Sequence, residues 1–134
     1  MSLQQRNERT GRAELQSAGW DITKRDAIAF NAGSETPEHK LCKLAVADVL
    51  HDRGYRIDSE VEMGEGEVDI VGYANPDRIN PIAVECETNP DDETVDDKLS
   101  RYWENEPIAE CYILPVEEMP TGIHEAITWA ESEL

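Results

Sequence analysis

The sequence predicts a single α/β domain in which a mixed four-stranded sheet is flanked by helices. Two observations favour this class: short apolar runs with strand-like alternation occupy residues 55–63, 67–73 and 82–88, and helical spacing precedes and follows them. At 134 residues the chain is long enough for one core and too short for two ordinary domains. We therefore expect an N-terminal arm, residues 1–35, and one folded domain, residues 36–134.

The N-terminal arm differs from the rest of the chain in charge. Residues 1–26 carry five basic and four acidic residues, against seven and 26 in the remainder. The segment from Glu8 to Ala18 has moderate helix propensity and is followed by Gly19, and Leu15 and Trp20 are candidate anchors onto the domain. The arm is either a partly helical extension or a basic arm that contacts nucleic acid.

The first helix of the domain is predicted to begin at Thr36. Thr36 is a favourable N-cap, and Pro37 is favourable at the first helical position. An apolar stripe from Leu41 to Leu50 then gives the helix one buried face. Gly54 is expected to end it.

Three strands are predicted next. Residues 55–63 and 67–73 are expected to form an antiparallel hairpin through the turn at residues 64–66. A loop containing Pro and Asn, residues 74–81, leads to the third strand, residues 82–88.

The residues from 89 onward are predicted to form a helix, a strand and a last helix. Acidic residues suited to a helix N-terminus open a helical pattern over residues 89–103. Cys111 to Val116 is short and apolar enough for a buried strand, and Thr121 is the expected cap of a last helix. The predicted order from Thr36 onward is α, β, β, β, α, β, α.

The chain is strongly acidic, with 30 acidic against 12 basic residues and a formal charge of −18. Its apolar residues still fall in periodic runs, so the composition is not that of a disordered chain. At molar salt the Debye length is only about 3 Å, which nearly removes repulsion between surface carboxylates. The acidity therefore favours a protein of a high-salt cytoplasm, cellular or virus-encoded.

Cysteine usage and hydropathy argue against three further classes: disulfide-rich, zinc-binding and membrane proteins. Cys42, Cys86 and Cys111 are odd in number, lie in apolar runs and lack CxxC spacing, so a disulfide framework or zinc site is not expected. No stretch approaches 18 apolar residues, and residues 1–12 are polar. We expect a soluble, cytoplasmic protein with no membrane partner.

Acidic side chains cluster on the predicted second and third strands. Because side chains alternate along a strand, Glu85 and Glu87 share one face while Val84 and Cys86 occupy the other. A neighbouring strand would bring Asp69 against the two glutamates. Such a group needs a cation or shared protons to offset its repulsion.

These residues carry a resemblance to a known family. The element order, Glu38 in Pro37-Glu38-His39-Lys40, Asp69 in Glu67-Val68-Asp69-Ile70, and Glu85-Cys86-Glu87 together resemble the PD-(D/E)xK nuclease superfamily over about residues 36–116. The resemblance implies a restriction-endonuclease-like αβββαβ core. It also implies Mg²⁺-dependent (or Mn²⁺-dependent) endonuclease hydrolysis of phosphodiester bonds in DNA.

The residue types also suit Mg²⁺ on chemical grounds, independently of the family resemblance. Mg²⁺ prefers hard oxygen ligands and keeps several waters, so Asp69, Glu85 and the main-chain carbonyl of Cys86 would suffice to hold it. Glu38 is expected to hold the metal through water, or to bind a second ion. Glu60 or Glu62 is an alternative to Glu38. No organic cofactor is expected.

The sequence lacks the lysine that is part of the motif in the family it resembles. Glu87 stands where the family has the lysine that orients the attacking water, so Glu87 is a candidate base or second-metal ligand. Lys98, on the following predicted helix, is the competing catalytic candidate. The alternative function is a non-catalytic nuclease-fold module that binds or regulates after losing that lysine.

DNA binding must draw on few basic residues, and a homodimer is expected by analogy with small nucleases that cut both strands. His39 is a further candidate for phosphate contact. The basic residues that are candidates for DNA contact are those of the N-terminal arm, Arg53, Arg56, Arg78, Lys98 and Arg101.

Overall fold

A computed structural model describes residues 2–22, 35–63, 66–88, 93, 97 and 110–134. In this part of the chain the protein is an α/β domain with one four-stranded sheet and three helices. The elements are α1 (Leu3–Ser17), α2 (Pro37–Asp52), β1 (Arg56–Met63), β2 (Gly66–Tyr73), β3 (Ile82–Glu87), β4 (Glu110–Pro115), a 3₁₀ turn (Val116–Glu118) and α3 (Ile123–Glu133).

The sheet is mixed, as predicted. Its strand order is β1-β2-β3-β4; β1 pairs antiparallel with β2, β2 pairs antiparallel with β3, and β3 pairs parallel with β4. A parallel pair needs a long crossover connection. The helix predicted there, residues 89–103, falls on a segment described only at Glu93 and Asp97, which are both helical.

The predicted limits of α2 are confirmed by its caps. The Thr36 side chain accepts a hydrogen bond from the His39 amide at 3.1 Å, and Pro37 opens the helix. At the other end Gly54 adopts φ +98°, and the Tyr55 amide donates to the Leu50 carbonyl at 3.0 Å. This is a glycine-terminated helix end in which left-handed backbone closes the last turn.

Two helix starts differ from the prediction. Helix α1 begins at Leu3 rather than Glu8, because Ser2 and Gln5 form a reciprocal capping box. The N-cap of α3 is Gly122 rather than Thr121, since the Gly122 carbonyl accepts the first helical bond, from the Ala126 amide at 2.8 Å.

Apolar residues cover both faces of the sheet. One cluster joins α2 and α3 to the sheet and includes Val46, Ile70 and Val84. The other contains Leu15 and Trp20, which are buried as the predicted anchors of the arm. Within the described ranges, none of the helices has the length and apolarity required to span a bilayer.

Candidate active site

The first hairpin changes faces at the level of Glu60. In a regular strand Ile57 and Val61 would share a face, yet Ile57 packs beneath α2 and Val61 packs on the α1 side. The β1–β2 ladder pairs residues on both sides of Glu60 but not Glu60 with Asp69. Glu60 has a φ of +50°, a left-handed conformation that costs a non-glycine residue of order 1–3 kcal/mol.

This irregularity directs carboxylates from both strands into a cavity of about 320 Å³. The cavity lies where β1, β2 and β3 meet the N-terminal end of α2. The sequence prediction that Asp69 lies with Glu85 and Glu87 agrees with this arrangement. The lining residues are Glu35, Thr36, His39, Glu60, Glu67, Asp69, Glu85, Cys86, Glu87 and Thr88.

Asp69 contacts both the backbone of β3 and the His39 side chain. Its Oδ2 accepts the Cys86 amide hydrogen at 2.8 Å and lies 3.4 Å from His39 Nε2. Burial raises the pKa of Asp69, but hydrogen bonds from His39, Cys86 and Glu85 outweigh it, so the pKa is lowered. The Asp69 carboxylate therefore remains ionised.

His39 supplies a positive charge at the cavity wall. The Asp69 carboxylate raises the pKa of His39 to about 9, against the lowering effect of partial burial. The imidazolium donates from Nε2 to the Cys86 carbonyl at 2.8 Å, and its Nδ1 lies 3.6 Å from Glu35 Oε2. At neutral pH His39 is thus a cation held between carboxylates.

Lys43 supplies a second, fully buried positive charge. Its side chain is 0% exposed, and Nζ donates to Glu35 Oε1 at 2.8 Å and to Glu60 Oε1. Burial lowers the pKa of Lys43, but the two carboxylates outweigh it and raise the pKa above its ordinary value. Lys43 is therefore a permanent cation behind the cavity.

Glu60 is a weaker acid than an ordinary glutamic acid side chain. Burial, together with a hydrogen bond shared with Glu67, raises the pKa of Glu60 to about 7, although Lys43 opposes the rise. A carboxyl group with a pKa near neutrality can both accept and return a proton under cellular conditions.

The thiol of Cys86 lies in the apolar cluster between α2 and the sheet, on the opposite face of β3 from Glu85 and Glu87 by strand alternation. Its hydrogen bond with Cys42 and its burial raise the pKa of the Cys86 thiol well above the ordinary range. Both cysteines are buried and free. They act as core residues beneath the site.

The remaining predicted residues lie elsewhere. Glu38 is exposed in the first turn of α2 and is not among the lining residues, whereas Glu35 lines the cavity. Of the two strand alternatives to Glu38, Glu60 lines the cavity and Glu62 is exposed. Lys98 lies outside the described residues.

Lys43 and Glu35 were missed by the sequence analysis, although a signal existed. Glu35, His39 and Lys43 are spaced by four residues, which places them along one face at the start of α2. One side of this helix is therefore charged and faces the sheet edge. The apolar stripe of α2 does not by itself indicate this charged side of the helix.

The donor set suits one kind of metal. Within the described residues, no group of three His, Cys, Asp or Glu side chains has an arrangement that could hold a metal ion. Mg²⁺ needs only one or two carboxylates, completed by carbonyl, water and phosphate oxygens. Asp69, Glu85 and the Cys86 carbonyl provide such hard oxygen donors and fit that requirement.

Comparisons of the chain with protein-family models, with curated proteins and with solved structures found no match. The cavity is therefore the feature of the described residues that points to a function. Its carboxylates are the hard oxygen ligands that a divalent cation prefers, and Glu60 has a pKa near neutrality.

Proposed function

We propose that the protein is a Mg²⁺-dependent endonuclease that hydrolyses phosphodiester bonds in DNA on a restriction-endonuclease-like core. The observation that carries this proposal is the convergence of Asp69, Glu85 and Glu87 in one cavity. These are the residues of the Asp and Glu-x-Glu positions through which the sequence resembles that superfamily.

The chain order supports the proposed core. A helix, three antiparallel strands and a fourth strand parallel to the third follow one another from Pro37 to Pro115. The parallel pairing of β3 with β4 leaves room for a crossover helix, and the chain is helical at Glu93 and Asp97. This order supports the αβββαβ core that the resemblance implies.

Asp69 and Glu85 would hold the metal, with the Cys86 carbonyl and waters completing its coordination. When bound, Mg²⁺ lowers the pKa of a coordinated water and neutralises charge on the transferring phosphoryl group. His39 contacts both Asp69 and the Cys86 carbonyl, so a metal held by these groups would replace His39 at them.

Phosphate contacts would come from arginines at the other end of the strands. Arg53 precedes β1 and Arg78 precedes β3, and both line a second cavity of about 270 Å³. Arg78 pairs with Glu110 at 3.3 Å, in an ion pair exposed enough to exchange for a phosphate. We propose DNA as the partner and a homodimer as the form that cuts both strands.

The test is cleavage of duplex, single-stranded and branched DNA at molar KCl with Mg²⁺ or Mn²⁺. Cleavage by the wild type that is lost with chelator and in Asp69→Asn supports the proposal. The matched control is Glu117→Gln, an exposed carboxylate outside the cavity, which should cleave normally. Absence of cleavage on every substrate contradicts the proposal.

A non-catalytic DNA-binding module is the second candidate. Glu87 occupies the position of the family lysine, and this substitution favours loss of catalysis. Retained DNA binding without cleavage in the same assays would select this alternative.

A further inference from the structure

The arginines of the described residues lie together at one end of the sheet. Three of them surround the segment from Tyr73 to Asn75, which ends β2 and follows it. Arg56 pairs with Tyr73 in the β1–β2 ladder. The Asn75 side chain donates to the Arg53 carbonyl at 3.0 Å, and the Arg78 amide donates to the Asn75 carbonyl at 3.3 Å. The acidic cavity lies towards the other end of these strands.

Helix α1 brings its arginines to the same end. A Cβ placed on Gly11 would lie 3.4 Å from the Ala74 nitrogen, so the helix backbone passes close to the end of β2. After α1 the chain reaches the far end of β1, where the Asp21 amide donates to the Glu62 carbonyl at 3.3 Å. The helix therefore runs from the arginine end towards the cavity end, and the residues before Gly11 lie at the arginine end.

The three arginines of α1 are spaced by three residues. Glu8 Oε1 accepts from Arg12 at 2.8 Å and lies 3.6 Å from Arg56 Nη2, which ties α1 to β1. Arg6 and Arg9 are exposed. None of the positions three or four residues away from either of them holds a carboxylate. These two guanidinium groups therefore face solvent without a carboxylate on the neighbouring turns of α1.

This arrangement is unfavourable for α1 alone. Like charges three residues apart on a helix are neighbours and repel each other. Cations near a helix N-terminus also oppose the macrodipole. The first turns of α2 and α3 carry Glu38 and Glu125, whereas the first turn of α1 has no acidic residue and ends at Arg6. A bound polyanion would offset both repulsions.

We propose that these arginines form a phosphate-binding surface for the backbone of duplex DNA, to which α1 contributes Arg6 and Arg9. The choice of DNA as the partner rests on the proposed function. Guanidinium groups match phosphate oxygens bidentately, and contacts to phosphates position a protein on DNA without reading the base sequence. This arginine surface consists of Arg6, Arg9, Arg12, Arg53, Arg56 and Arg78.

The position of the arginine surface suits DNA better than a membrane. Binding to an anionic membrane requires an apolar helix face beside the basic one, and Leu3 is the one exposed large apolar side chain in the described part of α1. Asp69 and Tyr73 are four residues apart on β2, which is about 13 Å along the strand. One duplex is therefore long enough to contact the arginine surface while a phosphodiester occupies the cavity.

The first experiment measures DNA affinity by fluorescence anisotropy, with a chelator present so that no cleavage occurs. Wild-type affinity should fall with rising KCl, over the range in which circular dichroism shows a folded protein. Arg6→Gln and Arg9→Gln should each reduce the slope of log affinity against log KCl concentration by about 1, and the double variant by about 2. Thr128→Glu, on the exposed side of α3, changes the formal charge by the same amount and should leave the slope unchanged.

Three results of this experiment would overturn the inference. The first is an equal slope in the wild type and the double variant. The second is an equal loss in Thr128→Glu and the arginine variants, since that loss would reflect net charge alone. The third is a wild type that binds no DNA, whether or not it binds RNA or phosphatidylglycerol vesicles.

Thermal unfolding without DNA separates a phosphate contact from a structural role. Removal of either exposed guanidinium relieves repulsion within α1, so Arg6→Gln and Arg9→Gln should melt at or above the wild-type temperature. Arg12→Gln loses the ion pair with Glu8 and should melt lower. A lower melting temperature in both Arg6→Gln and Arg9→Gln would show that these arginines support the fold, and would overturn their assignment.

A last measurement requires no variant. Amide hydrogen exchange of the wild type should slow in residues 3–12 when duplex DNA is added, and unchanged exchange there overturns the inference. Failure of the proposed function is distinguishable from this result. Binding through Arg6 and Arg9 without cleavage at any metal concentration would contradict hydrolysis and keep the arginine surface. Cleavage by a double variant of unchanged affinity would contradict the arginine surface and keep hydrolysis.

Discussion

Glu60 and Asp69 lie opposite each other at the one position where the described β1–β2 ladder lacks a pair between Arg56 and Met63. In a regular ladder Glu60 and Asp69 would be a cross-strand pair on one face of the sheet, opposite to the face of Ser59 and Ile70. The left-handed backbone at Glu60 interrupts the ladder at this point, and both carboxylates line the cavity. A local defect in a hairpin thus generates the acidic site.

Asp69→Asn tests the pairing of Asp69 with His39. The amide oxygen can still accept the Cys86 hydrogen bond, so the domain should remain folded by circular dichroism. Cleavage should be lost, because one metal-ligand charge is gone. The pKa of His39 should fall from about 9 towards its ordinary value, as measured by proton NMR. An unshifted His39 titration would contradict the assigned pairing.

Stability should depend on pH through His39. The folded state raises the pKa of His39 above its unfolded value of about 6.5, so its stabilising contribution is complete below that pH and is lost as the pH rises through about 9. Urea unfolding should therefore show that His39→Gln lowers stability at pH 6 more than at pH 9.5. His124→Gln, on the exposed side of α3, is the control and should show no such difference.

The elements that could be predicted from the sequence are those governed by local chemistry. Thr36 and Pro37 start α2, Gly54 ends it, and alternation identifies the hairpin strands, because caps and periodicity act within a few residues. Alternation also predicts that Glu85 and Glu87 share a face. Asp69 follows from strand adjacency.

The rest of the site depends on long-range packing. No local pattern predicts a left-handed Glu60, since the conformation is imposed by contacts that include Lys43 on α2. The rotation of α2 likewise decides that Glu35, and not Glu38, lines the cavity. Packing against the sheet sets the rotation of a helix about its axis. The local sequence of the helix does not predict this packing.

The acidic surface should make thermal stability depend on salt. With a formal charge of −18, carboxylate repulsion destabilises the fold in dilute buffer and is screened at molar KCl, where the Debye length is about 3 Å. The melting temperature should rise steadily from dilute to molar KCl by differential scanning fluorimetry. A melting temperature independent of salt would contradict the high-salt interpretation. It would favour a binding role for the acidic residues instead.

Gly72→Ala should test the packing of β2 against its neighbours. A Cβ at this position would lie 2.9 Å from Ile82 Cγ2 and 3.1 Å from the Tyr55 ring, so we expect a loss of about 1–3 kcal/mol in urea unfolding. Gly11→Ala on α1 is the matched control: its nearest contact is 3.4 Å, and the helix gains propensity. Equal effects of the two substitutions would contradict the described packing.

Glu87 and Lys98 are the two candidates to replace the lysine of the nuclease superfamily that the sequence resembles. Glu87 lines the cavity one alternation beyond Glu85, and we favour Glu87 over Lys98 as a ligand for a second ion. We therefore expect Glu87→Gln to lower kcat by about 10²-fold or more and to shift the Mn²⁺ dependence to higher concentration, with Lys98→Ala milder. If Lys98 instead orients the attacking water, the order reverses and the metal dependence stays unchanged. Full activity in both variants would contradict both assignments.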